Sequence, residues 1–162
     1  GCHSQMVRPF RSETERYGEY SKSGEFIYDR PFLWGSKRTG PDLHRIGGKY
    51  PDSWHYNHML DPESMSPGSI MPPYPWLLSD DLDTSLTIAK IKALRKLGTP
   101  YPAGYEQIVL DDLKKQANIV AESLKKDGIT QEKNLADKEI VALIAYLQRL
   151  GTDIKPKPQA NQ

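Results

Sequence analysis

The chain has 162 residues, with 22 Lys plus Arg against 21 Asp plus Glu, a formal charge of +1 and 37% hydrophobic residues. That length suits one domain of ordinary size. No stretch approaches the roughly 18–20 continuous apolar residues that span a bilayer. The near-zero net charge argues against nucleic-acid binding, and one cysteine excludes a disulfide framework. Residues 1–50 hold nine Lys/Arg against six Asp/Glu. This mildly basic stretch includes Arg8, Arg11, Arg16, Lys37, Arg38 and Arg45. It suits a small anionic ligand better than a polyanion, although a solvated loop surface accounts for it equally well.

The sequence opens Gly1-Cys2-His3 without an initiator Met, and the lone Gly reads as a cleavage scar, with natural sequence lying upstream. Residues 1–8 read as the end of a helix that stops before Pro9. Within 9–50, Glu25-Phe26-Ile27-Tyr28 is the one credible strand, with Phe32-Leu33-Trp34 as its candidate hairpin partner. Asp52 or Ser53 can cap a short helix over 54–60 that ends before Pro62. Five prolines between 61 and 77 predict a stiff, extended loop that nevertheless carries apolar Met71, Tyr74, Trp76 and Leu77.

From Ser79, a plausible N-cap, the set Leu82, Leu86, Ala89, Ala93 and Leu97 follows a 3.6 period. A second amphipathic helix carries Tyr105, Ile108, Val109, Leu113, Ala117, Val120 and Leu124, and closes at Gly128. The third and clearest holds Ile140, Leu143, Ile144, Leu147 and Leu150, and ends at Gly151. The Pro/Lys/Gln-rich tail predicts disorder over 152–162.

Three short pieces carry chemistry. Cys2-His3 matches the last two residues of C-x-x-C-H, in which thiols bind a haem covalently and the His becomes an iron ligand. A chance Cys-His pair is the commoner origin of two such residues. Gly40-Pro41-Asp42-Leu43 offers a rigid turn whose Pro carbonyl is a free acceptor, which a metal-bound His needs for its other ring nitrogen. An ordinary Gly-Pro turn looks the same. Ser69-Ile70-Met71-Pro72-Pro73-Tyr74-Pro75-Trp76 holds a methionine between rigid neighbours, and a weak thioether ligand needs that preorganisation. Met65 is its rival, Met59 reads as core, and Met6 lies too near His3 to serve the other haem face. His55 and His58 share a helical face at metal-ligand spacing, but packing histidines are the commoner explanation. No acid, base or nucleophile constellation is evident, so the chain reads as non-catalytic.

In this order, with Glu139-Ile140 to Tyr146-Leu147 as a terminal helix, the pieces resemble a class I cytochrome c. Four longer strings, Cys2 to Phe10, Glu15-Arg16-Tyr17-Gly18, Trp34 to Leu43 and Met71 to Leu77, resemble the mono-haem subunit (subunit II) of cbb₃-type cytochrome c oxidases. The likeness runs from residue 2 to about 151 and includes the inserted stretch Leu94 to Tyr101.

The resemblance implies a mainly α, cytochrome c-like domain over 1–151, with long irregular loops, a short hairpin and an inserted helical pair at 79–134. It implies haem c, with Cys2 as a thioether cysteine, His3 as proximal ligand and Met71 as distal ligand. Pro41 would offer its carbonyl to His3, Leu43 would pack on the haem edge, and Trp34 and Arg38 would meet propionates or a partner subunit. The implied partners are the catalytic haem–copper subunit and a multi-haem cytochrome c subunit, on the periplasmic side of an inner membrane reached through an upstream helix. Because the first Cys of the motif lies outside the sequence, this chain is expected to lack complete haem and to self-associate through an uncovered face around Tyr146 and Leu147. The alternatives are a haem-free periplasmic interaction module and a diffusible class I cytochrome c.

Overall fold

The computed structural model describes residues 1–29, 38–130 and 133–152, so Trp34, Lys37, the second half of the expected hairpin and the tail lie outside the described residues. The described residues form seven α-helices and no sheet: α1 (Arg11–Tyr17), α2 (Asp52–Leu60), α3 (Pro62–Met65), α4 (Trp76–Ser79), α5 (Thr87–Lys96), α6 (Tyr105–Lys126) and α7 (Glu139–Arg149). The mainly α, cytochrome c-like class is therefore the observed one. The chain divides into two compact units, Pro51–Tyr146 and Gly1–Tyr50 with Leu147–Gln162.

The Pro51–Tyr146 unit is built on α6 and the first two turns of α7. Val120, Ala121 and Leu124 of α6 and Ile140, Val141 and Ile144 of α7 form its core with Tyr56, Leu78 and Leu135. Leu124, Ile140 and Ile144 are completely enclosed. The 3.6 period thus identified the correct face of α7 and most of that of α6, although Ile108 of α6 lies 55% exposed.

On α5 the period misled. Its buried side chain is Ile91, whereas Leu86 and Leu97, flanking the helix, are largely exposed. The helix also begins at Thr87 and not near Ser79. The reason is a competing set of hydrogen bonds. Leu82 N–H donates to the Asp137 carbonyl at 2.8 Å, Glu139 N–H donates to the Asp80 carbonyl at 3.1 Å, and Asp81 and Lys138 form an antiparallel bridge. The Lys138 ammonium adds donations to the Ser79 carbonyl at 2.7 Å and the Asp81 carboxylate at 2.8 Å. Backbone groups spent on this bridge cannot start a helix.

The proline-rich segment is less extended than expected. Pro62 opens α3, whose N-cap Asp61 accepts from Ser64 N–H at 3.3 Å, and α4 forms directly after Pro75. Proline is well placed at a helix start because its missing N–H would have no intrahelical partner there.

In the other unit, residues 1–8 are irregular, with no helix ending at Pro9. Cys2 and Ser4 offer their carbonyls to another segment: Thr39 and Gly40 N–H donate to Cys2 at 3.0 and 2.8 Å, and Leu43 N–H donates to Ser4 at 2.9 Å. The expected strand at 25–28 is likewise absent. Ser23–Phe26 is a single 3₁₀ turn, capped by Lys22 N–H donating to the Glu25 carboxylate at 2.9 Å. That carboxylate is enclosed by Arg45, with contacts at 2.5 and 2.8 Å, and by His44 Nε2 at 2.9 Å. A strand alternating at this site would put Glu25 and Ile27 on one face, yet Glu25 is held inward while Ile27 is 61% exposed.

Candidate functional site

The segments 2–6 and 39–43 lie side by side and bring the sequence-predicted residues Cys2, His3, Pro41 and Leu43 together. His3 Nδ1 lies 2.7 Å from the Pro41 carbonyl oxygen. A carbonyl can only accept, so Nδ1 carries the proton and the Nε2 lone pair is left for a metal. A Cβ on Gly40 would stand 2.8 Å from His3 Nδ1 and 2.9 Å from Nε2, and closer still to Cε1. Gly40 is thus a cradle whose size admits the imidazole. The residue before His3, Cys2, has a free and exposed thiol. A thiol able to form a thioether, next to an imidazole whose second nitrogen is already held, is a donor set that fits a covalently attached haem.

The sequence model of the cytochrome c oxidase mono-haem subunit/FixO family matches residues 1–154. The chain belongs to the FixO family. No curated protein matches it.

As a mono-haem oxidase subunit, this FixO chain implies one haem, and the segment around His3 is braced by buried charge. Asp42 accepts from the Ser4 hydroxyl at 2.6 Å, Met6 N–H at 2.9 Å and His44 N–H at 2.9 Å. Arg38 reaches the Ser4 hydroxyl through Nε, and donates through Nη2 to the Met6 carbonyl and the Glu13 carboxylate, each at 2.8 Å. Its guanidinium lies over the Tyr17 ring, 5.2 Å from the centroid. Two arms of Arg38 are thus engaged within the chain, and the hydrogen bond it donates to Glu13 raises its pKa.

Glu13 also accepts from Arg8 N–H at 2.8 Å and Arg8 Nε at 2.5 Å. Burial would push the Glu13 carboxyl up, but the hydrogen bonds from Arg38 and Arg8 outweigh it and hold its pKa at about 2. Sequence reasoning missed Glu13. Its place in the RSETERY string gives no period or spacing that marks a buried acid.

His44 occupies a second enclosed network. Its Nε2 faces Glu25, and its Nδ1 meets the Ser21 hydroxyl, which accepts Val7 N–H at 2.8 Å. Burial, aided by the charge of Arg45 and opposed by Glu25, lowers the His44 pKa. In the neutral ring Nε2–H donates to Glu25 and Nδ1 accepts from Ser21, so every group has a complementary partner.

Met71 lies in the proline-rich segment of the Pro51–Tyr146 unit. It is half-buried beside Ile70, which is 80% exposed. Its N–H donates to the Ser69 hydroxyl at 3.2 Å, and farther along Tyr74 N–H donates to the Met59 carbonyl at 2.8 Å. Met59 packs against the core, while Met65 ends α3. In the same unit Trp54 stacks on His58 at 4.5 Å and meets His55 edge-on at 5.4 Å. Among the described residues no three His, Cys, Asp or Glu side chains group as a metal site, and no helix is long and apolar enough to cross a membrane.

The expected uncovered face at Tyr146 and Leu147 is only half as described. Leu147 is buried, and Tyr146 is 52% exposed. The chain itself closes over the end of α7: Gly47 N–H donates to the Leu150 carbonyl at 3.1 Å, and Gln148 bonds both Gly48 N–H and the Tyr50 carbonyl at 2.9 Å. Leu147 is thus covered within the chain, and of the expected face Tyr146 alone stays exposed.

Proposed function

We propose that the chain is the electron-carrying subunit of a cbb₃-type oxidase, holding one haem c with His3 and Met71 as its axial ligands. Within this reading, residues 1–151 serve as one haem domain, Cys2 supplies a thioether and Leu43 packs on the haem edge. Arg38 and Trp34 meet propionates or a partner subunit. The haem supplies a one-electron ferric–ferrous couple when bound, and a His/Met pair leaves the iron no open position.

The observation that carries this reading is the bond from His3 to the Pro41 carbonyl, made over a glycine that clears space for the ring. Pro41 fixes the imidazole's rotation and tautomer, and by accepting from Nδ1 it makes Nε2 more basic toward iron. Pro72 and Pro73 limit the backbone freedom of Met71, which lowers the entropy lost when a weak thioether binds. With both iron ligands supplied by side chains, the haem would carry electrons and leave reduction of oxygen to another subunit. The partners in this reading are the haem–copper catalytic subunit and a multi-haem cytochrome c subunit, met on the periplasmic side by a membrane-anchored full-length protein.

The test is the absorption and magnetic spectrum of the full-length protein made with cytochrome maturation machinery. A six-coordinate low-spin haem that His3→Ala abolishes is expected. A full-length protein without haem absorbance would overturn the proposal.

A further inference from the structure

The buried charges beside His3 outnumber what holding two short segments together requires. Ser4 and Met6 already pair with Asp42, and backbone bonds join Cys2 and Ser4 to 39–43. Yet α1 contributes a carboxylate, Glu13, that is 7% exposed and spent on two guanidinium groups. Arg8, Arg38, Glu13 and Asp42 balance in charge. Arg38 sits 2.8 Å from Glu13 but 3.7 Å from the Asp42 carboxylate oxygen that accepts from Ser4 and Met6.

We propose that Glu13 is a positioning residue for His3, acting by holding Arg38 away from Asp42. With Glu13 neutral, the nearest remaining carboxylate for Arg38 is Asp42. Closing the 3.7 Å gap would draw that oxygen from the Ser4 hydroxyl and Met6 N–H. Those two bonds set the register of His3, which precedes Ser4, against Pro41, which precedes Asp42. The hydrogen bond from Nδ1 to the Pro41 carbonyl therefore depends on Glu13, whose own side-chain bonds run to Arg8 and Arg38. Without the Glu13 charge the carboxylate left near the mostly buried Arg38 is Asp42 at 3.7 Å, so tightening that pair is favoured over leaving Arg38 where it is. The consequence for a bound haem rests on the proposed axial role of His3, whereas the effect on the imidazole itself does not.

Two measurements separate these. In the 162-residue chain, long-range ¹H–¹⁵N NMR of the imidazole reads the tautomer. The wild type is expected to hold the proton on Nδ1, and Glu13→Gln is expected to lower the Nδ1–H to Nε2–H ratio about tenfold, a change of about 1.4 kcal/mol. Glu15→Gln, two residues on and exposed, is expected to leave the ratio unchanged. Should Glu13→Gln fail to fold, Ser4→Ala, which removes the hydroxyl shared by Arg38 and Asp42, is expected to lower the same ratio.

In the full-length haem-loaded protein, Glu13→Gln is expected to shift the midpoint potential upward through weaker donation from Nδ1, and Glu15→Gln to leave it in place. An unchanged tautomer ratio in Glu13→Gln, or in Ser4→Ala where the former is unfolded, would overturn the inference, as would an equal effect from Glu15→Gln. A full-length wild type without haem would overturn the proposed function, and the tautomer ratio would still decide the role of Glu13.

Discussion

His3 donates through Nδ1 to the carbonyl of Pro41, 38 residues away, at 2.7 Å. The bond needs Gly40, the residue before Pro41, to have no side chain, because a Cβ there would strike the His3 ring. At this position sequence, backbone and chemistry agree: proline removes a donor and stiffens the turn, glycine opens the space, and histidine is left with one nitrogen for a metal.

Gly40→Ala should therefore disturb the imidazole more than the fold. Its Cβ would strike the ring of His3, a half-exposed side chain that can swing aside. A stability loss of under about 1 kcal/mol is expected, together with loss of the Nδ1 proton signal bonded to Pro41. Gly151→Ala is the contrast. Gly151 has φ +72° and its Cβ would run into the His44 carbonyl, a backbone atom that cannot swing, so a loss above about 2 kcal/mol is expected in urea unfolding.

Acid should act on Glu13 late. The group titrates near 2 in the folded chain and near 4.5 when unfolded, so the stability it contributes is present above about 4.5 and lost as the pH falls toward 2. The amount is about 2–3 kcal/mol, discounted because Arg8 is half-exposed. Glu13→Gln should be less stable at neutral pH and should show a flatter profile between pH 4.5 and 2. A mutant profile parallel to the wild type would contradict this.

His44 should act earlier. Burial, reinforced by Arg45, lowers its folded pKa below the ordinary 6.5, so the unfolded chain takes up the proton first. Its stabilising effect is complete above about 6.5 and declines as the pH falls below it. His55, also lowered by burial, works in the same direction. Replacing His44 with Gln should remove part of the decline between pH 6.5 and 5 in thermal unfolding, at the cost of a lower melting point throughout.

Cavity-forming substitutions should sort the two faces of α6. Leu124→Ala, at a fully enclosed position, is expected to cost about 2–5 kcal/mol. Ile119→Ala, at a position 68% exposed, should stay within about 0.5 kcal/mol. Equal losses at both would show that α6 packs differently.

Much of this was legible in the sequence, and the failures share a cause. α7 was found because Ile140, Ile144 and Leu147 repeat cleanly and Gly151 stops the helix. The pairing of His3 with Pro41 followed from the resemblance, because by itself a Gly-Pro turn looks ordinary. The strand at 25–28, the helix start at Ser79 and the helix at 1–8 all failed where a distant partner claimed the backbone or a charged side chain. Arg45 and His44 drew Glu25 inward, the bridge to Lys138 occupied Asp81, and residues 39–43 took the carbonyls of Cys2 and Ser4. Local pattern carries no record of a partner tens of residues away. Glu13 stayed hidden for the same reason, because only its encounter with Arg38 makes it a buried acid.

Whether Met71 holds the iron opposite His3 is read by near-infrared magnetic circular dichroism of the oxidised full-length protein, with Met71→Ala beside Met65→Ala. A thioether-ligation band is expected in the wild type that survives the change at Met65 and disappears with the change at Met71, with a fall in midpoint potential. A band that persists without Met71, or vanishes without Met65, would contradict it.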